Sequence, residues 1–246
     1  MNAGPRNLDL GVIGNCEVAA LVDETATFVW GCLPRMDGDP VFHALLDSDR
    51  DTDAQGLFAI ELVNGCETAQ RYIRNTAILE TTMTGADGNR LRVVDFCPRF
   101  RTRGRIFRPA MFVRLIEPLA GRPVARLRLR PRFEHGALAP RITRGSHHLA
   151  FHGTAQSFRV TTNGSISALA DEAPGVIDGP LALILGPDLT IEEPPLPLAQ
   201  SFLDETRVYW DDWVRGLAIP FEWQEAVIRA GGMLEQPQSL RWRALR

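Results

Sequence analysis

The groups able to do covalent or acid–base work in this 246-residue chain are 30 carboxylates, five histidines and four cysteines. Cys16, Cys32, Cys66 and Cys97 show no C-x-x-C spacing, so the pattern favours neither a tetrahedral metal site nor a redox dithiol. We expect small buried hydrophobes in a reducing compartment, with Cys16 and Cys32, nearly symmetric about a turn, as cross-strand neighbours. His147, His148 and His152 invite a metal, but adjacent residues on a strand point to opposite faces. Only His148 and His152 can share a face, and two ligands do not make a site.

Paired carboxylates could serve as general acid and base. Asp95 with Glu80, on neighbouring strand segments, and Glu134 beside His135 are the pairings on offer. Neither spacing nor context supplies the pocket and the opposed pKa values that such a pair needs, so no catalytic residue is assigned. The chain has no G-x-S-x-G, no H-E-x-x-H and no P-loop.

The remaining candidates are Trp30, Arg35 and Asp37. Leu33-Pro34-Arg35-Met36-Asp37 sets a rigid proline and two opposite charges directly after a strand, which puts Arg35 and Asp37 on a stiffened loop. An arginine fork and a carboxylate beside an aromatic could border a sugar, hydrogen-bonding its hydroxyls. The commoner arrangement is that Trp30 is core and the two charges tie the loop down locally.

These side chains must be positioned by sheets. CEVAALV and TFVWGCL flank Asp23-Glu24-Thr25 as a β-hairpin. Val41–Leu46 suggests a helical turn or two, and 47–53 a charged loop. Strand segments follow at 57–63, 68–73, 77–84 and 91–96, separated by Asn64-Gly65, Asn75 and Asp87-Gly88, which predicts an antiparallel meander. In 124–133, Arg126, Arg128, Arg130 and Arg132 alternate with Leu127 and Leu129 and are expected on a solvent face against acidic neighbours. Four or five more strands are expected in 146–184. No helical segment of 10 to 15 residues intervenes, which disfavours a parallel α/β sheet.

Glu192-Glu193-Pro194-Pro195-Leu196-Pro197 then predicts a polyproline-type linker over 191–198. Phe202, Leu203, Thr206, Tyr209, Trp210, Trp213 and Leu217 recur at helical spacing from about Ala199 to Arg215. Pro220 breaks the chain, a second helix begins at Phe221, and Gly231-Gly232 is expected to interrupt it. The fold expected is mainly β, an antiparallel β-sandwich of the supersandwich type over 5–190, followed by two short C-terminal helices and an atypical tail at 231–246. Charges nearly balance at −3, and all 27 basic residues are Arg. Nothing in that composition favours nucleic acid or a membrane surface, and the N-terminal ten residues lack a signal-peptide core, so a cytoplasmic location is the default.

Several of these segments together carry a resemblance. IGNCEVAALV followed by WGCLPRMD, then RYIRNTAILET, DG through VVDFCP, VRLIE and RPRFEHG, occur in the order and spacing of the trehalase-like first domain of bacterial glycoside hydrolase family 15 proteins. The helical end is similar to that family's linker helix and first barrel helix. The resemblance covers roughly residues 8 to 229. It implies an inverting hydrolysis of α-glucosidic bonds by two carboxyl groups of an (α/α)6 barrel that lies beyond this match. On that resemblance the chain by itself is inactive, uses no cofactor and has the barrel, in cis or in trans, as its partner. Alternatives are a free-standing carbohydrate-binding module for glucan or trehalose, or a truncated relic. The helical aromatics, if uncovered, favour self-association.

Overall fold

The computed structural model describes residues 8–46, 54–217 and 223–235. In chain order its strands begin with β1 (Gly11–Gly14), β2 (Ala19–Val22), β3 (Phe28–Cys32), β4 (Pro40–Phe42), β5 (Leu57–Leu62) and β6 (Cys66–Tyr72). They continue with β7 (Leu79–Gly85), β8 (Arg90–Phe96), β9 (Phe100–Thr102), β10 (Arg105–Phe107), β11 (Phe112–Ala120) and β12 (Val124–Arg130). After β13 (Arg141–Arg144), β14 (His148–His152) and β15 (Ser157–Thr162) come the short helix α1 (Ile166–Ala170), β16 (Gly175–Val176) and β17 (Leu181–Pro187). Two helices, α2 (Pro195–Arg215) and α3 (Gln224–Glu235), follow.

The strands make the expected antiparallel β-sandwich. One sheet runs β1-β2-β3-β5-β12-β16 with β4 beside β3, the other β13-β14-β15-β17-β11-β8-β7-β6, and β9-β10 is a separate ribbon. Between the sheets, Phe28 meets Phe42, Phe58 and Phe112 edge-on at centroid distances of 6.0, 5.8 and 5.7 Å. All four rings are fully buried, each stabilising the sandwich by about 1.5–3 kcal/mol through removal of apolar surface from water.

The second sheet is buried on both faces at its centre. Leu79, Met83, Leu91, Val93 and Phe112 face the first sheet, while Ile78, Val94, Phe96, Val113, Leu115, Ala182 and Ile184 face outward onto Ala199, Phe202 and Leu203 of α2. That is why β17 carries an unbroken apolar run, residues 181–185, and why the last four residues of β8 are all buried. Helix α2, 21 residues long, is therefore a third layer. It begins at Pro195, so Pro195 and Pro197 sit in its first turn, where a missing N–H costs nothing. The linker expected over 191–198 is confined to its first half, because those prolines start the helix instead of extending the chain.

Three more expectations are corrected. The hairpin of β2 and β3 forms, with Leu21 opposite Trp30, its turn pinned by the Asp23 carboxylate, which accepts from the N–H groups of Thr25 and Thr27 at 2.9 Å each. Yet Cys32 lies beyond Gly31, the partner of Ala20, while Cys16 lies outside that ladder in the β1–β2 loop with φ +76°. They are not cross-strand neighbours. Asn64-Gly65 is not a hairpin turn either. β5, buried along almost its whole length, pairs with β12 and β3 in the first sheet, whereas polar β6 takes the edge of the second. The turn hands the chain from one sheet to the other. Finally, α3 runs unbroken through Gly231 and Gly232. Residues 40–46 form β4 and a single 3-10 turn, while the loop 47–53, Pro220 with Phe221, and the tail after 235 lie outside the described residues.

Arg126, Arg128 and Arg130 share one face of β12 as the alternation predicts, but that face is half-buried rather than open to solvent, the Arg128 and Arg130 side chains being 13% and 19% exposed. Arg128 pairs with Glu61 at 3.1 Å and Arg130 clasps Glu172 at 2.5 and 2.6 Å. Among the described residues no helix is long and apolar enough to cross a membrane.

A candidate functional site on the helical face

The residues singled out from sequence are not brought together into one pocket. Arg35 and Asp37 form a two-point ion pair, Nε to Oδ1 at 2.8 Å and Nη2 to Oδ2 at 2.7 Å, in a loop anchored by the Met36 N–H on the Glu17 carbonyl at 3.0 Å. Both side chains are exposed, and Trp30 is half-buried on β3. The loop enters through a cis Leu33-Pro34 bond. The fork of Arg35 is directed at Asp37 rather than outward.

The carboxylate pairings dissolve for a geometric reason. Leu79, not Glu80, lies opposite Asp95, so Asp95 points between the sheets and Glu80 points out. Asp95 is fully buried against Arg114, and Glu80 bonds Arg71 at 2.7 Å with Arg92 at 3.6 Å. Glu134 accepts from the Thr154 hydroxyl at 2.6 Å, and the His135 N–H donates to Asp39 at 2.7 Å. His148 and His152 share a face of β14 but turn to different partners, the His147 ring and Thr143.

Polar and aromatic groups instead converge on the outer face of the second sheet, around α2 and α3. The β6–β7 turn holds one side. The Tyr72 hydroxyl accepts from the Val12 N–H at 2.6 Å and donates to the Val12 carbonyl at 3.0 Å, fixing the ring. The Arg229 guanidinium of α3 lies 3.4 Å over that ring and donates to the Thr76 carbonyl at 3.2 Å. Burial pushes the Arg229 pKa down from its ordinary value, and the nearby Tyr72 opposes the shift.

The other side is built on Arg99, in the connection between β8 and β9. Its side chain is almost completely buried, its main-chain N–H donates to Thr206 Oγ1 at 3.2 Å, and its guanidinium lies 4.9 Å from the Tyr209 ring and 5.8 Å from Trp210. Nη1 donates to Cys16 Sγ at 3.1 Å and to the Glu235 carbonyl at 3.2 Å, and Nη2 donates to the Glu235 carboxylate. The Cys16 thiol donates to the same carbonyl at 2.9 Å. Burial pushes the Tyr209 pKa up, with Arg99 opposing.

Between these two anchors, Gly231 passes so close to Trp213 that a Cβ there would stand 3.0 Å from the indole. A cleft of about 580 Å³ remains under α3, lined by Arg74, Asn75, Thr76, Trp213, Glu225 and Arg229 among others. A second, largely apolar cavity of about 280 Å³ opens between the sheets beside α1 and β16. The helical face is suited to holding helices, through aromatic surface, guanidinium forks and a thiol donor.

Sequence periodicity finds the aromatic stripe of α2. It misses Cys16, Arg99, Glu235 and Arg229, because contacts spanning 83 to 219 residues leave no local pattern.

Comparison with known proteins adds the following. The family model described as trehalase-like, N-terminal, matches residues 5–173. A trehalase of Mycolicibacterium smegmatis is 32% identical over 81 residues, 33% of this chain and 12% of that protein. A trehalase of Thermoplasma volcanium is 27% identical over 167 residues, 67% of this chain and 26% of that protein. The matched stretches thus span about a quarter or less of these relatives. No solved structure gives a significant match.

Proposed function

The chain belongs to the trehalase-like N-terminal family, and on that premise we propose that it is a non-catalytic β domain on which the helical catalytic unit of a family 15 trehalase- or glucoamylase-like hydrolase is mounted. The reaction of the assembled enzyme is hydrolysis of an α-glucosidic bond in cytoplasmic carbohydrate metabolism. Its general acid and general base, about 6.5–9.5 Å apart as inversion requires, belong to the helical unit and not to this chain.

The observation that carries the reading is the path of the chain after the sandwich. Helix α2 covers the outer apolar face of the second sheet through Ala199, Phe202 and Leu203, and α3 follows, anchored at Arg229 and Glu235 with Trp223 78% exposed. The sandwich is the mount, α2 the joint and α3 the first helix of the helical unit, whose remainder is supplied in cis or in trans. Trp30, Arg35 and Asp37 border the substrate in that assembly.

The test measures glucose release from trehalose and maltooligosaccharides by the purified chain, alone and with a relative's helical unit added. Silence alone with activity on addition supports the reading; activity from the chain alone overturns it.

A second reading, a saccharide-binding module, is favoured by the cleft under α3, where Arg74, Asn75 and Glu225 offer donors and acceptors beside Trp213. Titration of trehalose or maltooligosaccharides against tryptophan fluorescence tests it, since Trp210 and Trp213 line the cleft.

A further inference from the structure

We propose that Arg99, Cys16 and Tyr209 form a receptor through which the β domain recognises its helical unit, and that Glu235 of α3 is the residue it recognises. The inference takes its meaning from the docking reading above and deepens it by naming the recognition residue.

The receptor is made by the sandwich and α2. Cys16 comes from the β1–β2 loop, Arg99 from the β8–β9 connection, and Tyr209 from α2. Arg99 is 4% exposed and is held from behind, by its own main-chain bond to Thr206 and by the ring face of Tyr209. Its ion pair among the described residues is with Glu235. Without Glu235 the guanidinium keeps the Cys16 thiol and the Tyr209 and Trp210 rings among its described side-chain neighbours, and loses its carboxylate.

Glu235 answers with two groups from one residue. Its carboxylate takes Nη2, and its main-chain carbonyl takes Nη1 together with the Cys16 thiol. A receptor that takes a main-chain carbonyl and a carboxylate from the same residue fixes that residue in one orientation, which an isolated acidic side chain would not satisfy.

The start of α3 owes little to apolar burial. The first half of α3 is exposed, with Trp223 78% and Val227 38% accessible, and the cleft of about 580 Å³ separates the helix from the β6–β7 turn. The polar hold on α3 sits at Glu235, with Arg229 as a second point.

Amide hydrogen exchange on the full chain tests this. Exchange of 224–235 is compared with that of 112–117 inside the second sheet. In Glu235→Gln we expect α3 to exchange at least 10-fold faster while the strand is unchanged. Arg99→Lys, which keeps the charge but loses the fork, should do the same. Asp211→Asn, an exposed charge change on α2, should match the parent.

Four results would overturn the inference. They are an α3 unprotected in the parent chain, an α3 unaffected by Glu235→Gln, full protection in Arg99→Lys, and equal acceleration in the strand, which would make the cluster part of the fold. All are read in the chain alone, so failure of trans-complementation and failure of the receptor remain separable.

Discussion

Arg114 of β11 and Asp95 of β8 lie directly opposite each other with both side chains fully buried, Nε to Oδ1 at 2.7 Å and Nη2 to Oδ2 at 3.0 Å. The same guanidinium donates to the Phe58 carbonyl at 2.8 Å and to that of Ala26, and sits 4.1 and 4.6 Å from the Phe28 and Phe58 rings. It thus stitches the second sheet to the first. Burial pushes the Asp95 carboxyl up and Arg114 opposes that shift. Arg114→Met should cost about 3–5 kcal/mol, because it strands a buried carboxylate, while the double change with Asp95→Leu should cost markedly less. Urea unfolding of the two variants measures the difference.

The two glycines of α3 should answer differently to alanine. A Cβ at Gly232 meets nothing within 4 Å, so Gly232→Ala should stabilise the helix by about 1 kcal/mol. At Gly231 the same Cβ would press on Trp213 at 3.0 Å, and the gain should be cancelled or reversed. Exchange protection of 224–235 in each variant is the readout.

His148 should make the sandwich sensitive to acid. Burial first, then Arg159 and His147, hold its pKa below the ordinary value, with Asp188 opposing. The unfolded chain therefore binds the proton at a pH where the folded chain does not. The contribution is present above about pH 6.5 and is lost as pH falls toward and through the folded pKa. His148→Gln should flatten the thermal midpoint in that window while leaving pH 8 little changed.

Two thiols should be inert in the folded chain. Burial, with Asp39 and Asp37 adding, pushes Cys32 up to about 11. Burial and Asp95 push Cys97 well above the ordinary thiol value. Neither should react with an aromatic disulfide reagent at pH 8 until denaturant is added, since the thiolate is the nucleophile.

Arg35→Ala should leave the unfolding midpoint of the isolated chain unchanged, because the Arg35–Asp37 pair is 61% and 54% exposed and solvent-screened. If the loop borders substrate in an assembled enzyme, the change should appear there, as a raised KM for trehalose or maltooligosaccharide.

What lay open in the sequence was whatever rests on local pattern. The Asp23-Glu24-Thr25 hairpin, the arginine alternation of β12 and the stripe from Phe202 to Trp213 are each a period of 2 or 3.6 written within twenty residues, and together with motif order they establish the β-sandwich class and the trehalase-like family. Tertiary structure decided which sheet each strand joins, as at Asn64-Gly65, because a tight turn specifies a reversal and not a pairing. It also decided that Asp95 turns inward to Arg114 while Glu80 turns outward, a one-residue matter of register. Above all it brought Cys16, Arg99 and Glu235 together, and no local pattern encodes that meeting. Such contacts exist only once the two sheets and α2 have closed on one another, since their partners are joined by burial across the fold and not by position along the chain.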